Sequence, residues 1–112
     1  MCGISGIYAA HGQPSKTELK LMNACQRHRG PNSEDYFLDG SLGFAHSRLS
    51  IVGLDTGDQP IENEDGSVCI VFNGEIYNYP ELKRNLESDD HTFTTSTDTE
   101  VLVHLYEEHG SS

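Results

Sequence analysis

The sequence predicts an α+β domain, and three observations carry that prediction. Strand and helix signals follow one another along the chain. Two Asp-Gly pairs, Asp39-Gly40 and Asp65-Gly66, stand between apolar runs as hairpin turns. Two capping boxes, Ser15 with Glu18 and Thr97 with Glu100, open helical stretches. With 112 residues, no internal repeat and no low-complexity linker, residues 1–112 form one domain or part of one.

The elements follow in order. Ile4 to Ala9 is β-rich and ends at the turn around Gly12 and Pro14. The Ser15 box starts a helix with Leu19, Met22 and Cys25 at helical spacing. Arg27, His28 and Arg29 place positive charge at its C-terminus, and Gly30-Pro31 stops it. Tyr36 to Leu38 and Leu42 to Leu49 read as a hairpin, with Leu42, Phe44 and His46 on one face, and Gly53 to Asp58 reads as loop. Gln59 to Asn63 is a short strand turning at Asp65-Gly66 into Val68 to Phe72, whose apolar character on both faces predicts a buried central strand. A helix from Asn78 points Leu82 and Leu86 inward, and Thr92 to Thr94 extends. The helix opened by Thr97 and Glu100 carries Val101, Leu102 and Leu105 as its apolar stripe and ends at Gly110.

Composition narrows the function classes. Eighteen acidic against seven basic residues give a net charge of −11, a field that repels nucleic acid and anionic membrane, so neither is expected as a partner. No apolar run is long enough to cross a bilayer, no basic-then-apolar leader opens the chain, and a cytoplasmic location is expected. Three widely spaced cysteines suit reduced thiols, with Cys25 and Cys69 as small core residues. The six histidines show no H-x-x-x-H spacing, so no metal is expected.

The chemistry centres on Met1-Cys2-Gly3. Removing Met1 would leave Cys2 with a thiol and a free α-amine on one residue. An ordinary α-amine titrates close enough to an ordinary thiol to take its proton without a histidine. Asn73-Gly74, at a strand end, can offer an amide and a backbone N–H to one oxygen, although turn geometry alone also explains the pair. Arg48 can hold a carboxylate or serve as a surface ion-pair partner. Asp98 can receive an ammonium or stabilise a helix end.

Met1-Cys2-Gly3-Ile4, Arg27-His28-Arg29-Gly30-Pro31, Arg48-Leu49-Ser50-Ile51-Val52, Gln59-Pro60, Asn73-Gly74-Glu75-Ile76-Tyr77-Asn78 and Ser96-Thr97-Asp98-Thr99-Glu100-Val101 stand in the order found in class II glutamine amidotransferases. The chain resembles the N-terminal glutaminase domain of the glutamine-hydrolysing asparagine synthetase family. The Arg48 to Val52 and Asn73 to Tyr79 runs favour that family over the purine and hexosamine amidotransferases.

The resemblance implies an N-terminal nucleophile hydrolase fold, an αββα sandwich of antiparallel sheets, incomplete here on its C-terminal side. It implies Cys2 as nucleophile with its own amine as base, and Asn73 and Gly74 as the oxyanion hole. L-glutamine would be held by Arg48 at its α-carboxylate, by Asp98 and Glu75 at its α-amine, and by backbone around Leu49, Ser50, Ile51 and Val52. Asn32 stands where the family usually has Asp. The family domain continues past this length, and a synthetase domain that binds ATP and Mg follows it. Neither a G-x-x-x-x-G-K-S/T nor a Ser-Gly-Gly-x-Asp-Ser run occurs here, so no cofactor is expected on this chain. The expected partners are that synthetase domain, in cis or in trans, and a second copy in a homodimer. A glutamine-binding module without catalysis, completed by another chain, and an amidotransferase part serving another acceptor stay open as alternatives.

Overall fold

A computed structural model of the protein describes residues 1–49 and 58–112. Strand β1 (Gly3–Tyr8) lies beside β3 (Leu42–Arg48), and β3 lies beside β2 (Ser33–Asp39), so the three-stranded sheet has the order β1-β3-β2 and is antiparallel throughout. The β2–β3 turn follows its Asp-Gly signal, with Gly40 at φ +53. Helix α1 (Lys16–Ala24) carries the expected capping box at Ser15 and packs on β1 and β3. Its buried contribution comes from Leu19 and Asn23 rather than from a Leu19–Met22–Cys25 stripe, because Met22 and Cys25 face outward. Cys25 is therefore not a core residue. Arg27, His28 and Arg29 do not extend the helix; they form a separate 3-10 turn closed by Gly30.

Gly30 is required by a close approach. A Cβ there would stand 2.1 Å from the Ser47 carbonyl oxygen on β3. Next to it, the Asn32 N–H donates to the Arg48 carbonyl at 2.9 Å. The Arg-Gly-Pro run thus brings the chain back against β3 and sets the start of β2.

The second sheet is smaller than expected. Strands β4 (Ile61–Glu62) and β5 (Cys69–Ile70) pair antiparallel across the Asp65-Gly66 turn, and neither Gln59 to Asn63 nor Val68 to Phe72 is a full strand. Val68 to Phe72 is half-buried, since β4 alone pairs with β5 among the described residues. Burial and Glu62 push the Cys69 thiol up to about 11, so it is a half-buried, protonated residue. Helix α2 (Tyr79–Ser88) buries Leu86 and packs on α3 (Glu100–His109), which lies against β4 and β5. Thr92 to Thr94 forms no strand.

The start of α3 departs from its expected capping box. Thr99 is the cap, and the Glu100 carboxylate turns away to accept N–H groups from Thr94 at 2.8 Å and Thr95 at 2.6 Å, together with both threonine hydroxyls. Hydrogen bonds to a loop replaced the reciprocal box because the Thr94–Thr95 N–H pair has no ladder partner. The buried face of α3 is Glu100, Val101, Val103 and His104, with Leu102 and Leu105 half-exposed. Gly110 ends the helix at φ +64.

The sheets meet through side chains. His46, on the β3 face that also carries Leu42 and Phe44, is buried, and the backbone of Phe72, just beyond β5, lies beside it. Burial pulls its pKa below the ordinary histidine value, so it stays neutral.

Candidate active site

Cys2 precedes the first residue of β1, whose partner is Ser47 near the end of β3. That pairing carries the sulfur to the exit of β3. The Leu49 N–H donates to Cys2 Sγ at 3.4 Å, and Arg29 Nε donates to the Cys2 carbonyl at 3.2 Å. The arginine expected to face a helix end instead fixes the backbone of the nucleophile.

A cleft of about 680 Å³ opens beside the sulfur, lined among others by Cys2, Arg48, Leu49, Asn73, Gly74, Glu75 and Asp98. The residues singled out in the sequence and lying in the described segments therefore come together. Ser50, Ile51 and Val52, and Gly53 to Gly57 of the expected loop, lie outside the described residues.

Each member has a local cause. Asn73 and Gly74 follow β5 at the point where the chain leaves the sheet. A Cβ on Gly74 would stand 2.6 Å from the Phe72 ring, so that ring lies directly under the Gly74 backbone. No hydrogen bond engages the Asn73 amide among the described residues, leaving it available to a ligand oxygen. Asp98 precedes α3 rather than lying in its first turn, and its Oδ2 accepts the Ile76 N–H at 2.7 Å. It thereby pins the Gly74–Ile76 turn to the start of α3. Glu75 is exposed at the rim. Arg48 is mostly buried and pairs through Nη1 with Asp58 Oδ1 at 2.6 Å, so its guanidinium is held in place before any ligand arrives.

Sequence reasoning missed Gln59 as a site residue. It is buried; its Oε1 accepts the Phe72 N–H, and its Nε2 donates to Thr99 Oγ1 at 3.5 Å. Gln59 thus ties the strand exit carrying Asn73 to the helix start carrying Asp98. The Gln59-Pro60 pair, one of the motifs in the sequence, is the local signal that sets this position apart.

The cleft gathers a thiol, an uncommitted amide beside an exposed glycine, a held guanidinium and an acidic rim. That set suits acyl transfer from an amino-acid amide. Over residues 1–112 the chain matches the family model described as a glutamine amidotransferase domain, and it belongs to that family. Among curated relatives it is 49% identical over 115 residues to asparagine synthetase [glutamine-hydrolyzing] 2 of Bacillus subtilis, covering 98% of this chain and 15% of that protein. The corresponding protein 1 of the same organism is 46% identical over 110 residues, covering 95% of this chain and 17% of the relative. The enzyme of Brassica oleracea is 40% identical over 114 residues, covering all of this chain and 19% of the relative. The chain therefore spans about a fifth or less of the length of these relatives. No helix among the described residues is long and apolar enough to cross a membrane.

Proposed function

We propose that the protein is the glutamine-hydrolysing portion of an asparagine synthetase, acting through Cys2 once Met1 has been removed. The observation that carries this reading is the shared cleft: Cys2, Asn73, Gly74, Arg48 and Asp98 come from separate parts of the chain and line one opening. The layering supports the αββα sandwich. α1 covers one face of the first sheet, the segment after β5 meets the other face through His46, and α3 covers the second sheet.

In this reaction the freed Cys2 amine takes the thiol proton. The thiolate, with the Leu49 N–H beside it, attacks the glutamine side-chain carbonyl carbon. The developing oxyanion accepts hydrogen bonds from the Asn73 amide and the Gly74 N–H. The proton held by the amine passes to the leaving nitrogen, and ammonia departs. Water then adds to the thioester, and glutamate leaves as the thiolate is restored. Arg48 receives the α-carboxylate, which shares the guanidinium with Asp58 or displaces it. Asp98 and Glu75 face the α-ammonium, and Leu49 lines the wall. None of these steps needs a cofactor. Ammonia would pass to an ATP- and Mg-dependent synthetase domain that converts aspartate to asparagine. A homodimer and a cytoplasmic location belong to the same reading.

Mass spectrometry of the N-terminus combined with a glutamate-release assay tests the proposal. Chain lacking Met1 should release glutamate, Cys2→Ala should not, and Asn73→Ala should slow turnover by ~100-fold or more. Undiminished turnover in Cys2→Ala would overturn it.

A further inference from the structure

On the side of α3 away from its N-terminus, four side chains from separate stretches converge. His104 and Glu107 stand three residues apart on one face of α3, His91 follows α2, and Glu64 follows β4. One ligand atom from each lies within 4.8 Å of all the others. We propose that Glu64, His91, His104 and Glu107 form a binding site for one divalent transition-metal ion of the zinc class, with both imidazoles ligating through Nδ1.

Three features support an ion here rather than plain ion pairing. First, His104 is fully buried, yet neither of its ring nitrogens makes a hydrogen bond. An imidazolium paired to a carboxylate would aim an N–H along one oxygen. Instead His104 Nδ1 lies 3.3 Å from Glu64 Oε2 and 4.0 Å from Glu107 Oε2, off the line of either bond. An unpartnered nitrogen in so dry a place is costly unless something not made of protein meets it.

Second, the spacings are those of a coordination shell. A tetrahedral ion with bonds of ~2.0–2.1 Å separates its ligand atoms by roughly 3.3–3.4 Å. His91 Nδ1 lies 3.4 Å from Glu64 Oε1 and 3.6 Å from Glu107 Oε2, and His104 Nδ1 lies 3.3 Å from Glu64 Oε2, so three of the four imidazole–carboxylate spacings are near that separation and the fourth, at 4.0 Å, must shorten when an ion enters.

Third, the surrounding groups orient the ligands. His91 Nε2 is 2.8 Å from Glu108 Oε1; as donor it leaves Nδ1 with its lone pair turned to the cluster, the carboxylate–histidine arrangement that typically backs a metal-bound imidazole. The Glu64 carboxylate is steadied by the Thr92 N–H at 2.8 Å. Two neutral imidazoles and two carboxylates balance a dication, and nitrogen with oxygen donors suits zinc or cobalt over calcium or magnesium. The sequence hid this set because Glu64 and His91 stand far along the chain from the His104–Glu107 pair, in separate elements. Bound there, the ion would staple the β4 turn, the exit of α2 and the body of α3 together. The inference does not depend on the catalytic reading.

Metal-free protein titrated with Co²⁺ should develop the visible absorption of a four-coordinate ion at one equivalent per chain, and Zn²⁺ should displace it. Glu107→Gln, on the more open side of the cluster, should weaken binding at least ~10-fold while leaving the circular dichroism unchanged. A second readout needs no variant. In two-bond ¹H–¹⁵N correlation of the imidazole rings, Zn²⁺ should shift Nδ1 of His91 and His104 and leave His11, His28, His46 and His109 in place. Folded protein that takes up no ion at micromolar metal, or binding that shifts other histidines or persists undiminished in Glu107→Gln, overturns the proposal.

Discussion

Both sheets bury polar groups, but they are held together by different bonds. The first has strands of six and seven residues, with Leu19 and Ala45 fully enclosed and Asn23, His46, Ser47 and Arg48 buried as well. The second has strands of two residues, and the groups buried around it include Gln59, Asn63, Thr99, Glu100 and His104 beside Val101 and Val103. The first sheet holds together through ladder hydrogen bonds and apolar contact. The second depends on specific side-chain bonds: Glu100 on Thr94 and Thr95, Gln59 on Phe72 and Thr99, Asp98 on Ile76. An apolar core tolerates adjustment, whereas a buried polar network loses heavily if one member goes.

The largest expected effect lies where the two kinds of support do not help. Gly30→Ala puts a methyl into the Ser47 carbonyl, and neither backbone segment can move without breaking the sheet. Its cost should exceed ~3 kcal/mol in denaturant unfolding, the upper range for overpacking. Leu19→Ala should cost about 3 kcal/mol through the cavity it leaves between α1 and the first sheet. Glu100→Gln, nearly isosteric in the polar half, should cost about 2 kcal/mol because one amide oxygen cannot serve both N–H groups and both hydroxyls. If Glu100→Gln left the unfolding midpoint unchanged, the second half would not depend on its polar network and the contrast would fail.

The smallest expected effect is a pH dependence centred on the first sheet. Burial holds His46 below its ordinary value of 6.5, so the folded state declines a proton that the unfolded chain accepts. Stability from this group is full above pH 6.5, falls as pH drops below that, and levels off once the folded form protonates. The slope is at most about 1.4 kcal/mol per pH unit. Unfolding midpoints measured between pH 7.5 and 5.5 should show this loss, and His46→Gln should flatten it. An equal slope in His46→Gln would locate the titration elsewhere.

The same contrast explains what could be read from the chain. The Ser15–Glu18 box and the Asp39-Gly40 hairpin are local, and both form as expected. The apolarity of Val68 to Phe72 predicts a central strand because apolarity signals burial, but burial also needs neighbouring strands, and β5 has one such neighbour among the described residues. The Thr97–Glu100 box failed because Glu100 found stronger donors in the loop before it. The cleft residues were legible through motifs, and Cys2, Arg48, Asn73 and Asp98 do line one opening. The work of Gln59 was not legible: its partners Phe72 and Thr99 stand 13 and 40 residues away, and nothing in a linear pattern connects them.

The donor facing the sulfur has a consequence for how this centre can change. Because the Leu49 group concerned belongs to the main chain, replacing that leucine by any residue except proline keeps it. Drift in the surrounding side chains can retune the wall of the cleft and leave the electronic setting of the nucleophile where it was. Only a backbone alteration, such as an ester in place of that peptide link, would reveal how much reactivity the chain itself confers.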